Sequence, residues 1–267
     1  MLEVKLRRCI DHVRHEMPSG GYTPDCIPPP QFSSLSGKDL MSEVFRCFSS
    51  TSARLQLLIF LNNYSSHPEF PPHSKVLATN PLLDSLVLSL VLDRSSTACA
   101  VGLTLVGKLL PILAVHAPNS LISRLPQFIS ILARVSSWHT PTPQDPIEED
   151  ALALLDVNPD LHWQPLTLTF TFNLAAFAPE TDRYFSQLYY LFPWNLMKFA
   201  RNPIEYVEQS GFECPYTAGW TVALDKTVIR TRIEASARGH GSELQLNILS
   251  PGAFCEPHSS PNLLDRW

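Results

Sequence analysis

Residues 184–208 read YFSQLYYLFPWNLMKFARNPIEYVE, and this stretch predicts helices separated by prolines. We expect helices over 182–192 and 194–200, broken at Pro193, because proline ends or interrupts a helix. A third short helix is expected over 203–209, with proline at its start and Gly211 near its end. The aromatic residues repeat at helical spacing, which favours a packed core or a partner surface over a platform for stacking bases.

The same helical pattern recurs upstream, where apolar residues repeat every three or four positions. We expect an opening helix from Leu2 to Val13, a proline-rich loop over 18–37, and then a series of helices in which Pro111 kinks or ends one member. A last helix is expected over 225–237, followed by a frayed tail over 239–267. Helices that are apolar over wide arcs pack between neighbours. The prediction is therefore one all-α domain over 1–267, an irregular solenoid of the HEAT or armadillo kind. Five of the predicted helices each present a stripe of apolar residues along one face. These stripes are Leu40, Val44, Cys47 and Phe48; Leu57, Phe60, Leu61 and Tyr64; Leu83, Val87, Leu90 and Val91; Leu103, Val106, Leu110 and Leu113; and Leu125, Phe128, Leu132 and Val135.

Two segments in the middle of the chain differ from this pattern. Residues 137–162 are rich in proline and contain six acidic residues with no lysine or arginine, so we expect a mobile acidic loop. Without those six charges the formal net charge changes from −5 to about +1. Residues 166–172 alternate with period two, as a strand does, but an all-helical chain offers no sheet to join, so we predict a helix over 163–177.

Composition narrows the class of protein. Hydrophobic residues make up 45% and charged residues 17% of the chain, as in a globular protein, and a pI near 6.0 does not support nucleic-acid binding. The start MLEVKLRRCID lacks a signal peptide's apolar region, and Asp93 and Lys108 interrupt the longest apolar runs. The six cysteines form no C-x-x-C pair, so we expect buried free thiols in a soluble, reduced, intracellular protein.

Motifs of common catalytic and metal sites are not found. The chain lacks a phosphate-binding loop, a dinucleotide fingerprint, a zinc-protease motif and a nucleophile elbow. Cys9, His12 and His15 could present metal ligands on one helix, but three neighbouring arginines favour an ordinary polar face. The sequence GHGS at 239–242 favours a flexible loop over a nucleophile turn. We therefore expect no enzyme, no metal and no cofactor.

Five basic residues are candidates for binding an anion. Arg94, Lys198, Arg201 and Arg232 lie at or near predicted helix ends, and Arg266 lies in the tail. Successive helix ends line one edge of a solenoid, so these residues could bind phosphate-bearing lipid headgroups. The alternative for each residue is a cation that stabilises a helix C-terminus.

Several motifs resemble the hamartin family, the scaffold subunits of the tuberous sclerosis complex, from about Leu82 to Trp267. An apolar helix ending in Leu-Pro is followed by a helix ending in Arg-x-Ser-Ser-Trp, which here is 134–138. A Leu-Tyr and Pro-x-Asn block follows, here 188–201, and a terminal Arg-Trp matches 266–267. The proline content and the inserted acidic loop resemble fungal members of the family.

The resemblance implies a HEAT-like N-terminal domain of a non-enzymatic scaffold. It implies a full protein that binds tuberin through a coiled coil and restrains TOR signalling through tuberin's GTPase-activating activity. It also implies peripheral recruitment of a cytoplasmic complex to lysosomal or vacuolar membranes through phosphoinositides. The resemblance implicates two basic residues that fall within matched motifs, Arg201 and Arg266. It gives weaker support to the other three candidates, Lys198, Arg94 and Arg232.

Two other functions remain open on the sequence. The first is a generic protein-binding solenoid, such as an adaptor, with no lipid role, and the second is an enzyme with a cryptic site. One local prediction concerns the Pro-x-Asn block, where we expect Trp194 to be largely buried and Asn195 to cap the helix that follows.

Overall fold

Twelve α-helices make up most of the chain that this computed structural model describes, which comprises residues 37–68, 70–138, 156–167 and 180–238. Within these ranges there is no strand, and the β-type pairing is a single antiparallel bridge between Val157 and Tyr216. The all-α prediction is therefore confirmed. The helices are α1 Gly37–Phe48, α2 Thr51–Tyr64, α3 Phe70–Thr79, α4 Leu82–Leu92, α5 Ser96–His116, α6 Pro118–Ser123, α7 Leu125–Ser136, α8 Asp182–Leu191, α9 Pro193–Arg201, α10 Pro203–Gln209, α11 Trp220–Ala223 and α12 Lys226–Arg238.

Helix α5 is the centre of the packing. It contacts α2, α3, α4, α6 and α8, and most of its circumference is buried, apart from an exposed stripe that includes Ala100, Thr104 and Pro111. The helix is long and apolar enough to cross a membrane, but more than half of its most apolar stretch is buried inside the fold. A central helix surrounded by other helices needs the same all-round apolar composition. We therefore interpret α5 as the core helix of the domain.

Prolines lie inside helices at two places in the first half of the chain. Of the two outcomes expected at Pro111, a kink or a helix end, the helix end does not occur: α5 continues to His116, and Pro111 lies on its exposed side. The Pro71-Pro72 pair lies in the first turn of α3. Proline is compatible with a first turn because the amides there have no partner within the helix.

The segment 156–167 corrects two further expectations. Residues 163–167 have no regular secondary structure, so the helix predicted over 163–177 does not form there. Residues 156–162, expected to be mobile, include a short 3₁₀ helix at Pro159–Leu161. The amide of Asn158 donates to the carbonyl of Pro215 at 2.9 Å, and the amide of Thr217 donates to that of Asp156 at 3.0 Å. These bonds tie the end of the acidic stretch to the chain near Tyr216.

The second half of the chain packs α8 to α12 beside α5 and α7. Helices α8, α9 and α10 follow one another with proline at the first position of α9 and α10, as the sequence predicts. Phe185, Leu188 and Phe199 are buried, whereas Tyr190 is 68% exposed, so the aromatic cluster is mainly core. Four parts of the predictions lie outside the described residues: the opening helix with the loop over 18–36, residues 139–155 of the acidic loop, residues 168–177, and the tail with Arg266.

Candidate functional site

Of the predicted basic residues, Arg94 is engaged inside the fold. It lies between α4 and α5, where its backbone amide donates to the carbonyl of Leu166 at 3.0 Å. Its guanidinium pairs with Asp156 at 3.5 Å, and its side chain is 25% exposed. Arg94 thus holds both ends of the segment 156–167, which gives it a structural role.

Arg232 is also engaged, and it stabilises a helix end. Its Nη1 donates to the carbonyl of Val135 at 3.1 Å and its Nη2 to that of Trp138 at 2.8 Å. Burial lowers the pKa of its guanidinium. The last carbonyls of a helix lack amide partners and attract cations. Arg232 therefore fits the alternative interpretation, in which the basic residue stabilises a helix C-terminus. The helix that it stabilises is α7 and not α12, to which Arg232 belongs.

Lys198 and Arg201 are the two predicted residues that the structure brings together. Both lie in the last turn of α9, three residues apart and thus on neighbouring positions of one helix surface. Lys198 is exposed, and its Nζ lies 5.2 Å from the centre of the Trp194 ring. Arg201 is half-buried. Arg266, the fifth candidate, is outside the described residues.

The prediction for the Pro-x-Asn block was wrong for Asn195. Trp194 is half-buried, with one face toward Lys198. Asn195 lies inside α9 and does not cap it, because Phe192 holds the N-cap position and Pro193 the first helical position. The side chain of Asn195 instead hydrogen-bonds Tyr206 on α10.

A buried ion pair that the sequence did not reveal lies at the junction of α2, α4 and the segment 156–167. Arg54 Nη1 donates to Asp93 Oδ1 at 2.6 Å, and both side chains are completely buried. Three further donors reach the same carboxylate: Ser89 Oγ at 2.6 Å, Trp163 Nε1 at 3.3 Å and the amide of Leu166 at 2.9 Å. Burial raises the pKa of Asp93, and the charge of Arg54 and these hydrogen bonds oppose that rise. The carboxylate is therefore a fixed acceptor that organises the chain around it.

Arg54 completes the arrangement on the other side of the pair. Its guanidinium also donates to the carbonyls of Phe48, Ser49 and Gln164 at 3.1 to 3.2 Å. Its guanidinium carbon lies 4.1 Å from the centre of the Trp163 ring. All of these partners belong to the chain itself. The pair therefore has a structural role, which is to fix residues 163–166 against α1 and α4, and it is not a ligand-binding site.

A second buried arginine lies nearby in the Arg-x-Ser-Ser-Trp motif. Arg134 is 5% exposed, its guanidinium carbon is 4.7 Å from the centre of the Trp138 ring, and it hydrogen-bonds Tyr216. Tyr216 Oη in turn donates to the carbonyl of Val91 at 2.6 Å, and burial raises the pKa of its hydroxyl to about 12. The motif thus supplies interior contacts between α7, α4 and the chain before α11.

The described residues offer no catalytic arrangement that we can identify. No group of three or more His, Cys, Asp or Glu side chains in these ranges could hold a metal ion. Burial raises the pKa of the Cys99 thiol to about 12, so it is unreactive at neutral pH. The Cys99 thiol is buried, as expected, whereas the thiols of Cys47 and Cys214 are only half-buried, which differs from the expectation of buried thiols.

Comparison with known proteins gives a likeness of structure. No family model and no curated protein matches the chain. The solved "TSC1 N-terminal domain" superposes with a TM-score of 0.51 at 20% identity, over 76% of this chain and 44% of that one. The "Structure of TSC1 NTD and linker domain" gives a TM-score of 0.45 at 21% identity, over 79% of this chain and 49% of that one. This chain therefore spans less than half the length of those structures. The resemblance to hamartin, the TSC1 protein, is confirmed in the fold: this chain has the α-solenoid fold of the TSC1 N-terminal domain.

Proposed function

We propose that this chain is a non-enzymatic scaffold domain of the hamartin kind. The observation that carries the proposal is its helical fold, shared with the TSC1 N-terminal domain. Two motifs that resemble the hamartin family also support it, because both are part of the folded core. Residues 134–138 make interior contacts, and residues 188–201 form the end of α8 and the whole of α9. In this proposal the full protein binds tuberin, mainly through a coiled coil, and restrains TOR signalling through tuberin's GTPase-activating activity.

We further propose that the domain helps to recruit the complex to lysosomal or vacuolar membranes by binding phosphoinositides. The contact surface includes the end of α9, where Lys198 is exposed and Arg201 is its neighbour. Arg266, which lies outside the described residues, is included because it falls in a matched motif. Each basic residue near an anionic membrane contributes about 1 kcal/mol. Two such residues contribute about 2 kcal/mol, or about a 30-fold change in membrane partition.

Liposome flotation tests the membrane role. We expect the double change Lys198→Ala and Arg201→Ala to lower binding to phosphoinositide vesicles by about 30-fold at low salt. The matched control changes two exposed basic residues of α12, Lys226→Ala and Arg230→Ala, and should bind as wild type does. Equal flotation of the α9 variant and wild type would refute a lipid role for this helix end.

The scaffold role is tested separately in two ways. The full-length protein should co-purify with tuberin, and TOR activity should rise in cells from which the full-length protein has been removed. A second candidate function, a protein-binding solenoid without a lipid role, is favoured by Tyr190, whose side chain is 68% exposed. Exposed aromatic residues are enriched in protein interfaces. If Tyr190→Ala removes a protein partner while flotation of the wild type is absent, this second function is the correct one.

A further inference from the structure

Helix α5 carries a stripe of exposed residues along one side, which we call the α5 stripe. Ala100, Thr104, Pro111 and Val115 are exposed, and half-buried Lys108 lies between Thr104 and Pro111. These positions are three or four residues apart, so they share one face of the helix. Helix α5 contains no aspartate, glutamate or arginine, and Lys108 is its one lysine. The α5 stripe is therefore nearly uncharged.

The C-terminal half of the α5 stripe is apolar. Val115 is 75% exposed, the highest value among the large hydrophobic residues in the described part of the chain. Exposed Pro111 and half-buried Ile112 lie one turn earlier on the same face. Scattered exposed apolar residues are ordinary, whereas contiguous ones point to a contact with another apolar surface. This half of the stripe is therefore a surface for docking.

The chain that precedes α1 joins the fold close to the α5 stripe. Helix α1 begins at Gly37, where a Cβ would lie 2.6 Å from the His73 ring, so the backbone of Gly37 lies directly against that ring. His73 Nδ1 hydrogen-bonds the hydroxyl of Tyr64, the last residue of α2. Two residues further on, Ser66 Oγ accepts a hydrogen bond from Lys108 Nζ at 2.8 Å. Gly37 and the stripe are thus connected through His73 and the end of α2.

The segment before Gly37 matches the α5 stripe in length and in pattern. Its predicted helix over 2–13 lies outside the described residues. An isolated helix of this length is only marginally stable in water and needs an apolar surface to pack on. Twelve residues span about 18 Å as a helix, and residues 104–115 have the same number. A chain of 23 residues, as over 14–36, spans about 25 Å without being extended. The apolar residues of the predicted helix repeat at helical spacing: Leu2, Leu6, Cys9, Ile10 and Val13.

We propose that the first 36 residues bind back on the domain, with the apolar face of the helix over 2–13 packed along the C-terminal half of the α5 stripe. The docked helix removes Val115, Pro111 and Ile112 from water, which is the main favourable contribution to helix packing. Lys108, bonded to the end of α2, lies at the edge of this contact. The proposal does not depend on the proposed lipid surface, which lies on α9.

Amide hydrogen exchange of the whole 267-residue chain tests this contact. We expect the amides of residues 2–13 to be protected in the wild type. Val115→Glu should lower that protection about 10-fold or more, because a charge replaces a valine-sized apolar contact. Val115 is exposed, so this variant should fold as wild type does. The matched control is Val222→Glu, which changes a 51% exposed residue of α11 and should leave the protection unchanged.

A reciprocal experiment measures the contact from the side of α5. In Val115→Cys, the rate at which a maleimide modifies the new thiol reports whether the stripe is covered, and peptide mass spectrometry separates it from the native cysteines. Adding Ile10→Glu should raise that rate about 10-fold, as for the loss of one buried apolar side chain. The thiol introduced by Val222→Cys should react at the same rate with and without Ile10→Glu.

Three results would overturn the proposal. The first is a lack of protection at residues 2–13 in the wild type, or protection that survives Val115→Glu. In the second, the modification rate of Val115→Cys is unaffected by Ile10→Glu but falls as the protein concentration rises, which assigns the stripe to a second copy of this chain. In the third, the rate falls only with vesicles of phosphatidylcholine and phosphatidylserine, which assigns the stripe to a membrane.

Discussion

Replacing Asp93 by asparagine tests whether the buried ion pair holds the domain together. The new side chain would keep the shape of the aspartate but remove the charge opposite Arg54, whose side chain is completely buried. It would also place an amide NH₂ among the four donors that now reach the carboxylate. Breaking a buried pair by removing one partner typically costs about 3–5 kcal/mol, because a charge remains in the interior without compensation. We expect Asp93→Asn to lose stability in this range.

The measurement is urea unfolding of the whole chain, followed by far-ultraviolet circular dichroism. A matched control is Arg124→Gln, which breaks the more exposed pair with Asp84 at 2.9 Å. Exposed pairs contribute about 0–1 kcal/mol, so the control should change little. In a double-mutant cycle, Arg54→Met with Asp93→Leu should cost less than the sum of the two single changes. A loss of less than about 1 kcal/mol for Asp93→Asn would refute the reasoning, since this value is typical of an exposed pair.

Three further predictions concern the core, alkaline stability and a helix end. Trp220→Ala should cost about 3–5 kcal/mol and Trp194→Ala clearly less in urea unfolding, because Trp220 is 3% exposed and Trp194 is half-buried. The free energy of unfolding should fall as the pH rises from about 10 to about 12, since the unfolded chain ionises Tyr216 first while burial keeps the folded pKa at about 12. Tyr216→Phe should make this fall less steep, and an identical slope in pH-dependent unfolding would contradict the assignment. Arg232→Met should lower the free energy of unfolding by about 1–2 kcal/mol, because it removes two hydrogen bonds to carbonyls at and just after the end of α7. An unchanged rate of amide hydrogen exchange at Ser137 would contradict that role.

The all-helical fold was predictable because it depends on local periodicity. Stripes such as Leu125 to Val135 repeat at helical spacing and became helices with those residues buried. Helix α3 has no counterpart among the predicted apolar stripes, because the consecutive prolines Pro71 and Pro72 are compatible with a helix only in its first turn, which is where they lie. The segment 163–167 was missed for a different reason: its amide at Leu166 is satisfied by Asp93, 73 residues earlier, and no local pattern predicts such a partner.

The candidate site was less predictable than the fold. Arg232 lies in the middle of α12 and not at its end, and the helix terminus that it stabilises belongs to α7, 97 residues earlier in the chain. Lys198 and Arg201 came together because they share one helix, which spacing does predict. The pairing of Arg54 with Asp93 depends on which helices are neighbours in space, and a single sequence does not provide that information.

The hydrogen bonds made by the segment 156–167 and by Tyr216 have a consequence for how the domain folds. In most solenoids each repeat contacts only its neighbours, so folding can start anywhere and spread along the array. Here Arg54 bonds to Gln164 across 110 residues, and Tyr216 bonds to Val91 across 125. Contacts between distant parts of a chain slow folding, because the intervening loop must close before they form. The domain should therefore fold slowly and as one cooperative unit. Deleting helices from one end should unfold the helices at the other end rather than leave a shorter folded solenoid.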